Sequence, residues 1–258
     1  IIAVTFTNKA ANEIKERVKI ELKSDIDSPW IGTFHSIFAK FLRKHSGLVK
    51  LKSNFTILDI DDQKKLLKQV LEFCKINNDT SEGIYLNEIQ NLKDNKIIFN
   101  ENKKISKFSS LERLDDIYSY YQQRLIEINA VDFGDILLHS FNILSNNQEI
   151  KKSYQNFIEH ILIDEFQDTN TIQYDLVRIL TSNDTSIFAV GDDDQSIYGW
   201  RGAKVENIEK LQKDYNGIKI FRLEQNYRST GNILDAANSV ILNNNSRMGK
   251  NLWTEGKS

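Results

Sequence analysis

Two short stretches hold residue types able to bind a metal ion and hydrolyse a phosphoanhydride. Asp164-Glu165 ends the apolar run Ile161-Leu162-Ile163, and Gly191-Asp192-Asp193-Asp194-Gln195-Ser196 follows Ser186-Ile187-Phe188-Ala189-Val190. Short apolar runs bounded by polar turns read as buried strands. A carboxylate at a strand's end can hold magnesium, directly or through water, because hard cations take oxygen ligands. Asp164 stands in that position, and the adjacent Glu165 can orient and deprotonate an attacking water. The neutral amide of Gln195 can hydrogen-bond a terminal phosphate or that water, and change partners on hydrolysis. Taken singly, the first motif also reads as two solvated acids in a turn, and the second as a polar hairpin loop. Taken as a pair, they match the way nucleotide-hydrolysing α/β domains hold magnesium and a terminal phosphate at the carboxyl ends of neighbouring parallel strands.

Further motifs suit a nucleic-acid strand. Tyr198-Gly199-Trp200-Arg201 sets two aromatics and an arginine beside the Gln195 loop. Stacking of bases on such rings contributes roughly 1–3 kcal/mol per base and tolerates any sequence. Core aromatics are the alternative, which Gly199, Gly202 and the polar surroundings disfavour. Thr5-Phe6-Thr7-Asn8-Lys9 and Thr33-Phe34-His35-Ser36 each run from a strand end into a helix. A helix N-terminus presents free N–H groups to phosphates, and Phe6 or Phe34 can stack on bases. An ordinary N-cap with core aromatics explains either one equally well. His35 has no Cys or His nearby to share a metal. In Gln225-Asn226-Tyr227-Arg228-Ser229-Thr230, Arg228 can reach a γ-phosphate as a transition-state finger and Tyr227 can stack on a nucleobase. A solvated turn is the plainer alternative there. Gly256-Lys257-Ser258 mimics the tail of a phosphate-binding loop, but the first glycine of that pattern would fall on Asn251.

The elements that must position these groups follow from periodicity. Ile1–Phe6 predicts a buried strand. Thr7 predicts an N-cap for a helix to Leu22 with Ala10, Ile14, Val18 and Leu22 on one face. Trp30–Thr33 predicts a short strand, and Thr33 a helix whose apolar face is Phe34, Ile37, Phe38, Phe41 and Leu42. Residues 47–129 change character. They predict a helix bearing Leu66, Leu67, Val70, Leu71 and Cys74, then a polar stretch from Lys75 to Lys107 with weak periodicity. A capping box at Ser109-x-x-Glu112 opens a long helix through Leu125. Alternation resumes with a helix near Phe133–Leu144, the strand ending at Asp164, a helix at Ile172–Leu180, the strand Ser186–Val190, a helix at Val205–Asp214 and an alternating strand Ile218–Leu223. That order predicts a mostly parallel sheet wrapped by helices, with an all-helical block inserted into it.

Composition sets outer bounds. The chain has 258 residues, a net charge of -2 and a single cysteine. It has no disulfide framework of its own and no global basic field, although a local basic strip fits within a balanced total. No apolar run reaches membrane-spanning length and no secretory signal opens the chain, so a soluble, cytoplasmic protein with no membrane partner is expected. Ile1 already lies inside an apolar run, which predicts that the chain is cut from a longer polypeptide.

The ordered set Thr5–Ala11, Thr33–Ser36, Asp164–Thr169, Val190–Tyr198 with Trp200–Ala203, and Gln225–Thr230 closely resembles superfamily 1 DNA helicases of the UvrD/Rep/PcrA type. The likeness continues through Ile233–Asn238 and Lys250–Trp253. It implies an α/β fold with a RecA-like parallel sheet. Residues 1–46 and 130–224 would form a first motor domain truncated at its N-terminus, 47–129 an inserted helical accessory subdomain, and 225–258 the beginning of a second motor domain. Asp164 and Glu165 would form the magnesium-binding and water-activating pair. Gln195 would sense the γ-phosphate, Arg228 contact it, and Tyr227 hold the adenine of ATP. Phe6, Tyr198 and Trp200 would stack on single-stranded DNA, with Thr5, Asn8, Thr33, Phe34, His35 and Arg201 contacting it nearby. The implied activity is ATP-dependent 3′-to-5′ translocation on single-stranded or 3′-tailed DNA, in repair or replication, with the rest of the helicase chain as partner. The family's P-loop is not in this sequence, so these residues alone are expected to hydrolyse ATP poorly or not at all. Gly134 stands where the family usually carries an acid. A DNA-binding remnant without catalysis, or part of a helicase–nuclease, are the alternatives.

Overall fold

The computed structural model describes residues 1–23, 30–76, 81–97, 111–244 and 249–256, with the Arg201 side chain excepted. Four parallel strands make the central sheet: β1 (Ile2–Thr5), β2 (Ile31–Thr33), β5 (His160–Ile163) and β6 (Ser186–Ala189), in the order β2-β1-β5-β6. The register pairs Thr5 with Thr33, Val4 with Ile163, and Ile163 with Ala189. The carboxyl ends of all four strands therefore finish on one rim, and the loops that leave this rim carry most of the candidate motifs.

Helices α1 (Asn8–Leu22), α2 (Phe34–His45), α6 (Phe133–Asn146), α7 (Gln148–Phe157), α8 (Thr171–Leu180) and α9 (Glu206–Asp214) accompany the sheet. Their starts are chemically explicit. Thr7 accepts a hydrogen bond from Ala10 N, and Thr33 from Ser36 N. Asp132 and Asn170 form reciprocal capping boxes with Asp135 and Gln173. Such side chains satisfy N–H groups that a helix cannot satisfy itself. The expected face of α2 is buried in full, and it packs with Ile2, Val4, Ile161, Ile163 and the inner faces of α6 and α8 in one core.

A second apolar cluster joins α3 (Ile60–Phe73), α4 (Glu82–Asp94) and α5 (Leu114–Glu127). Two-residue strands β3 (Thr56–Ile57) and β4 (Ala130–Val131) pair at its base, and α10 (Gly231–Ile241) closes the order.

Several expectations are corrected. Residues 218–223 form no strand, and Ile220, Phe221 and Leu223 are exposed; the stretch has alternation but does not pair with the outer edge of β6, which ends the sheet on that side among the described residues. Strands β5 and β6 are covered on one face only, with Leu162 and Phe188 facing outward. The chosen face of α1 is at best half-buried, Leu22 is exposed, and the residue that packs is Ala11. The polar stretch after Lys75 contains α4, whose apolar spacing is diluted by Asn and Lys. The Ser109 capping box lies outside the described residues at its first position, and α5 begins only at Leu114, behind Arg113 in a left-handed conformation (φ 50°).

Candidate nucleotide and DNA site

At the rim, Asp164 follows β5 directly. Its backbone N–H continues the sheet by donating to Val4 O at 2.8 Å, and Thr5 Oγ1 donates to Asp164 Oδ2 at 3.3 Å. Asp164 is half-buried and Glu165 exposed. Glu165 adopts φ 53°, a left-handed conformation unfavourable to side chains with a Cβ. The turn it makes throws its carboxylate out over the rim and returns the chain into the sheet, where Phe166 N donates to Val190 O at 2.9 Å.

A hydrogen-bonded chain then links the two acidic motifs. Gln167 is 1% exposed. Its Nε2 donates to Glu165 Oε2 at 2.9 Å, and its Oε1 accepts from Asp192 N at 2.9 Å. Asp192 Oδ2 in turn accepts from Gln195 Nε2 at 2.6 Å. Gly191 makes this approach possible: a Cβ there would stand 2.9 Å from Gln167 Oε1 and 3.3 Å from Gln167 N. Asp168 follows, with Oδ1 buried and lacking a hydrogen-bond partner among the described residues. Burial first, and then the charge of Glu165, push its carboxyl above the ordinary value.

The donor set fits magnesium. Asp164 offers a half-buried carboxylate and the buried Thr5 a hydroxyl, all hard oxygen. Such a site leaves room for the waters and phosphate oxygens that magnesium retains. Among the described residues the only trio of acids with ligand atoms within 4.8 Å of one another is Asp192, Asp193 and Asp194, and Lys250 already pairs with two of these.

Phe6, beyond β1, stacks on Tyr198 with centroids 4.8 Å apart, and Tyr198 leans toward Trp200 at 6.4 Å. Trp200 is 75% exposed, whereas Tyr198 is half-buried rather than fully open. Phe34 belongs to the buried core cluster and is 7% exposed, which leaves little of its ring open to a base. Thr33 caps α2 beside Thr5, and Asn8 opens α1 at the surface. His35 is half-buried edge-on to Phe133, and burial pushes its imidazole down to about 4, so at neutral pH it offers hydrogen bonds without charge. The Arg201 side chain lies outside the described residues.

Tyr227 and Arg228 lie in the turn between α9 and α10. Both are exposed, on the wall of a cavity of about 390 Å³ formed by residues 225–230 and 254–256. Asn226 Oδ1 holds this turn by accepting from Arg228 N and Ser229 N at 2.9 and 2.8 Å.

Gln167, Asp192 and Lys250 were not singled out from residue type. The signal for Gln167 was its place two residues after Glu165; Asp192 lies in the acidic motif before Gln195 and Lys250 in the Lys250–Trp253 stretch, but neither residue type pointed to a contact between them.

A parallel sheet with paired acids at one strand end and an amide-bearing loop at the next defines an α/β protein whose candidate site lies on one rim of the sheet. Residues 1–216 match the model of the UvrD/REP helicase N-terminal domain, and the chain belongs to that family. It is similar to DNA helicase II of Haemophilus influenzae, with 43% identity over 275 residues, covering 100% of this chain and 36% of that protein. It is also similar to the ATP-dependent DNA helicase PcrA of Staphylococcus aureus, 42% identical over 98% of this chain and 35% of the relative. DNA helicase II of Salmonella typhimurium is 41% identical over 99% of this chain and 36% of its own length. The chain thus spans about 36% of the length of the curated relatives it matches.

Proposed function

We propose that these residues are the hydrolytic and strand-gripping part of an ATP-dependent DNA helicase that moves 3′ to 5′ along single-stranded DNA. The relatives' names and the family match support the ATP-dependent DNA helicase part of this reading. The observation that carries it is the connected chain Glu165–Gln167–Asp192–Gln195. It ties a candidate water-activating carboxylate to a candidate phosphate sensor.

In this reading Asp164, with Thr5 beside it, holds magnesium, which supplies charge to the phosphate oxygens when bound. Glu165 receives the proton of the attacking water. Gln195 meets the terminal phosphate and exchanges that contact for Asp192 on release. Arg228 stabilises charge on the γ-phosphate and Tyr227 covers the adenine, once their cavity closes toward the rim. Phe6, Tyr198 and Trp200 hold unpaired bases, with Thr33, His35, Asn8 and Arg201 along the backbone. We assign 1–46 and 130–224 to one motor domain, 47–129 to an accessory insertion with the second apolar cluster as its core, and 225–258 to the start of a second motor domain. A cytoplasmic place in repair or replication follows from the same reading. The 258 residues contain no G-x-x-x-x-G-K-[ST] cradle, so by themselves they turn over ATP slowly or not at all.

The test is Glu165→Gln in a full-length helicase chain carrying these residues. DNA-stimulated ATPase is expected to fall by about 10²–10⁴-fold, the usual contribution of a general base, with ATP binding retained. Undiminished turnover would remove Glu165 from its role.

A further inference from the structure

Gln195 lies at one end of a contact that crosses between two parts of the molecule. Its amide donates to Asp192 Oδ2 at 2.6 Å, while Asp192 Oδ1 receives the ammonium of Lys250 and accepts from Asp194 N at 3.0 Å. Lys250 also stands 3.7 Å from Asp194 Oδ2. The three side chains are only 16%, 25% and 12% exposed, for Lys250, Asp192 and Asp194 in turn, so water screens these charges weakly. Partial burial pushes the Asp192 carboxyl up, yet the hydrogen bonds from Lys250 and Gln195 outweigh it and hold the group below its ordinary value.

Lys250 arrives there from elsewhere. Its neighbours are laced to the segment that carries Tyr227 and Arg228. Asn251 N donates to Glu224 Oε1 at 3.2 Å, Trp253 N to Glu224 O at 3.0 Å, and Asn226 N to Trp253 O at 2.8 Å. Asn238 of α10 donates to Leu252 O at 3.1 Å. Any displacement of this segment relative to the sheet would carry Lys250 with it.

We infer that Lys250 is a positioning residue for phosphate sensing: it fixes Asp192, which aims the Gln195 amide, and so reports the position of the 224–256 segment to the hydrolytic rim. The inference rests on the sensor role proposed for Gln195. A neutral residue at 250 removes one of the three groups that hold the Asp192 carboxylate, beside Asp194 N and the Gln195 amide, and leaves the negative charge of the acidic trio uncompensated.

The experiment compares Lys250→Met, Lys250→Arg, Asp192→Asn and the Met/Asn double variant in a full-length helicase chain, each checked for an unchanged melting temperature. Lys250→Met is expected to lower kcat of DNA-stimulated ATPase about tenfold, with KM for ATP and affinity for an oligothymidine strand within about twofold, and Lys250→Arg to recover most of the loss. The double variant is expected to be no slower than Asp192→Asn alone, since both act through one contact. A kcat for Lys250→Met within about twofold of the parent, or losses that multiply in the double variant, would overturn the inference. Should Lys250→Met melt early, Lys250→Gln serves the same comparison. A parent chain with no DNA-stimulated ATPase would overturn the functional reading itself, a result distinct from an active parent indifferent to position 250.

Discussion

Gln167 shows how a single buried amide can define a site. Both ends of its side chain are engaged, one with Glu165 and one with the backbone of Asp192. The amide therefore sets the spacing between two loops that leave neighbouring strands. The tolerance at this point is set by Gly191, where a methyl group would meet both the backbone and side chain of Gln167. Backbone cannot yield as a flexible side chain can, so Gly191→Ala is expected to cost about 1–3 kcal/mol, as overpacking does in a filled interior. It is also expected to displace Asp192 N from its acceptor. Urea denaturation measures the first effect, and turnover in a full-length chain the second.

At the scale of elements, α4 is held to α6 by a buried charge. Lys93 is 0% exposed, and its Nζ donates to Asp132 Oδ2 at 2.6 Å and Gln122 Oε1 at 2.8 Å, with Asp135 Oδ1 also at 2.8 Å. Tyr121 donates to the same Asp132 oxygen at 3.2 Å. Burial and the nearby Asp135 push the Asp132 carboxyl up. Asp135 is as deeply placed, but Lys93 and His139 hold it below its ordinary value despite that burial. Gly134 lets the helices come this close: a Cβ there would lie 2.8 Å from Lys93 Cδ and 2.9 Å from Gln90 Oε1. A larger residue at 134 would need Gln90 and Lys93 to shift. Removing the cation leaves two buried carboxylates facing each other. Lys93→Met is therefore expected to destabilise the chain by about 3–5 kcal/mol in chemical denaturation. A loss under 1 kcal/mol would mean that the acids find water or protons at little cost.

Across the whole molecule, the parallel sheet brings separate motifs to one rim. Phe6 after β1 and Tyr198 after β6 are almost two hundred positions apart in number, yet their rings stack, and Trp200 stands outermost beside them. Single-stranded DNA lying along this row would be bound by stacking with little sequence preference. Replacing both Tyr198 and Trp200 by Ala is expected to weaken binding by roughly 1–3 kcal/mol for each base lost from the stack. A steep salt dependence is expected in both forms, because phosphate contacts supply the remainder. Fluorescence anisotropy with an oligothymidine strand checks this; equal affinities would rule out the aromatic row as the base-binding surface.

Local physics made much of this legible in the chain itself. Helices α2, α6 and α8 announce themselves through caps and apolar spacing, and the acids of Asp164-Glu165 and the Gln195 loop through their position after apolar runs. These are short-range properties, fixed by steric preference and by which side chain can satisfy which backbone group. What sequence left open depends on partners distant in number. The alternation at Ile218–Leu223 suits a strand, but a strand exists only where the chain is laid alongside an edge, and these residues do not pair with the open edge of β6. Phe34 and Phe6 look alike in their motifs, and only the packing of α2 against the sheet decided that one is core and the other faces the rim. The links from Gln167 to Asp192 and from Asp192 to Lys250 join chemically unremarkable residues, because a hydrogen bond or an ion pair depends on a separation in space that the folded chain alone sets.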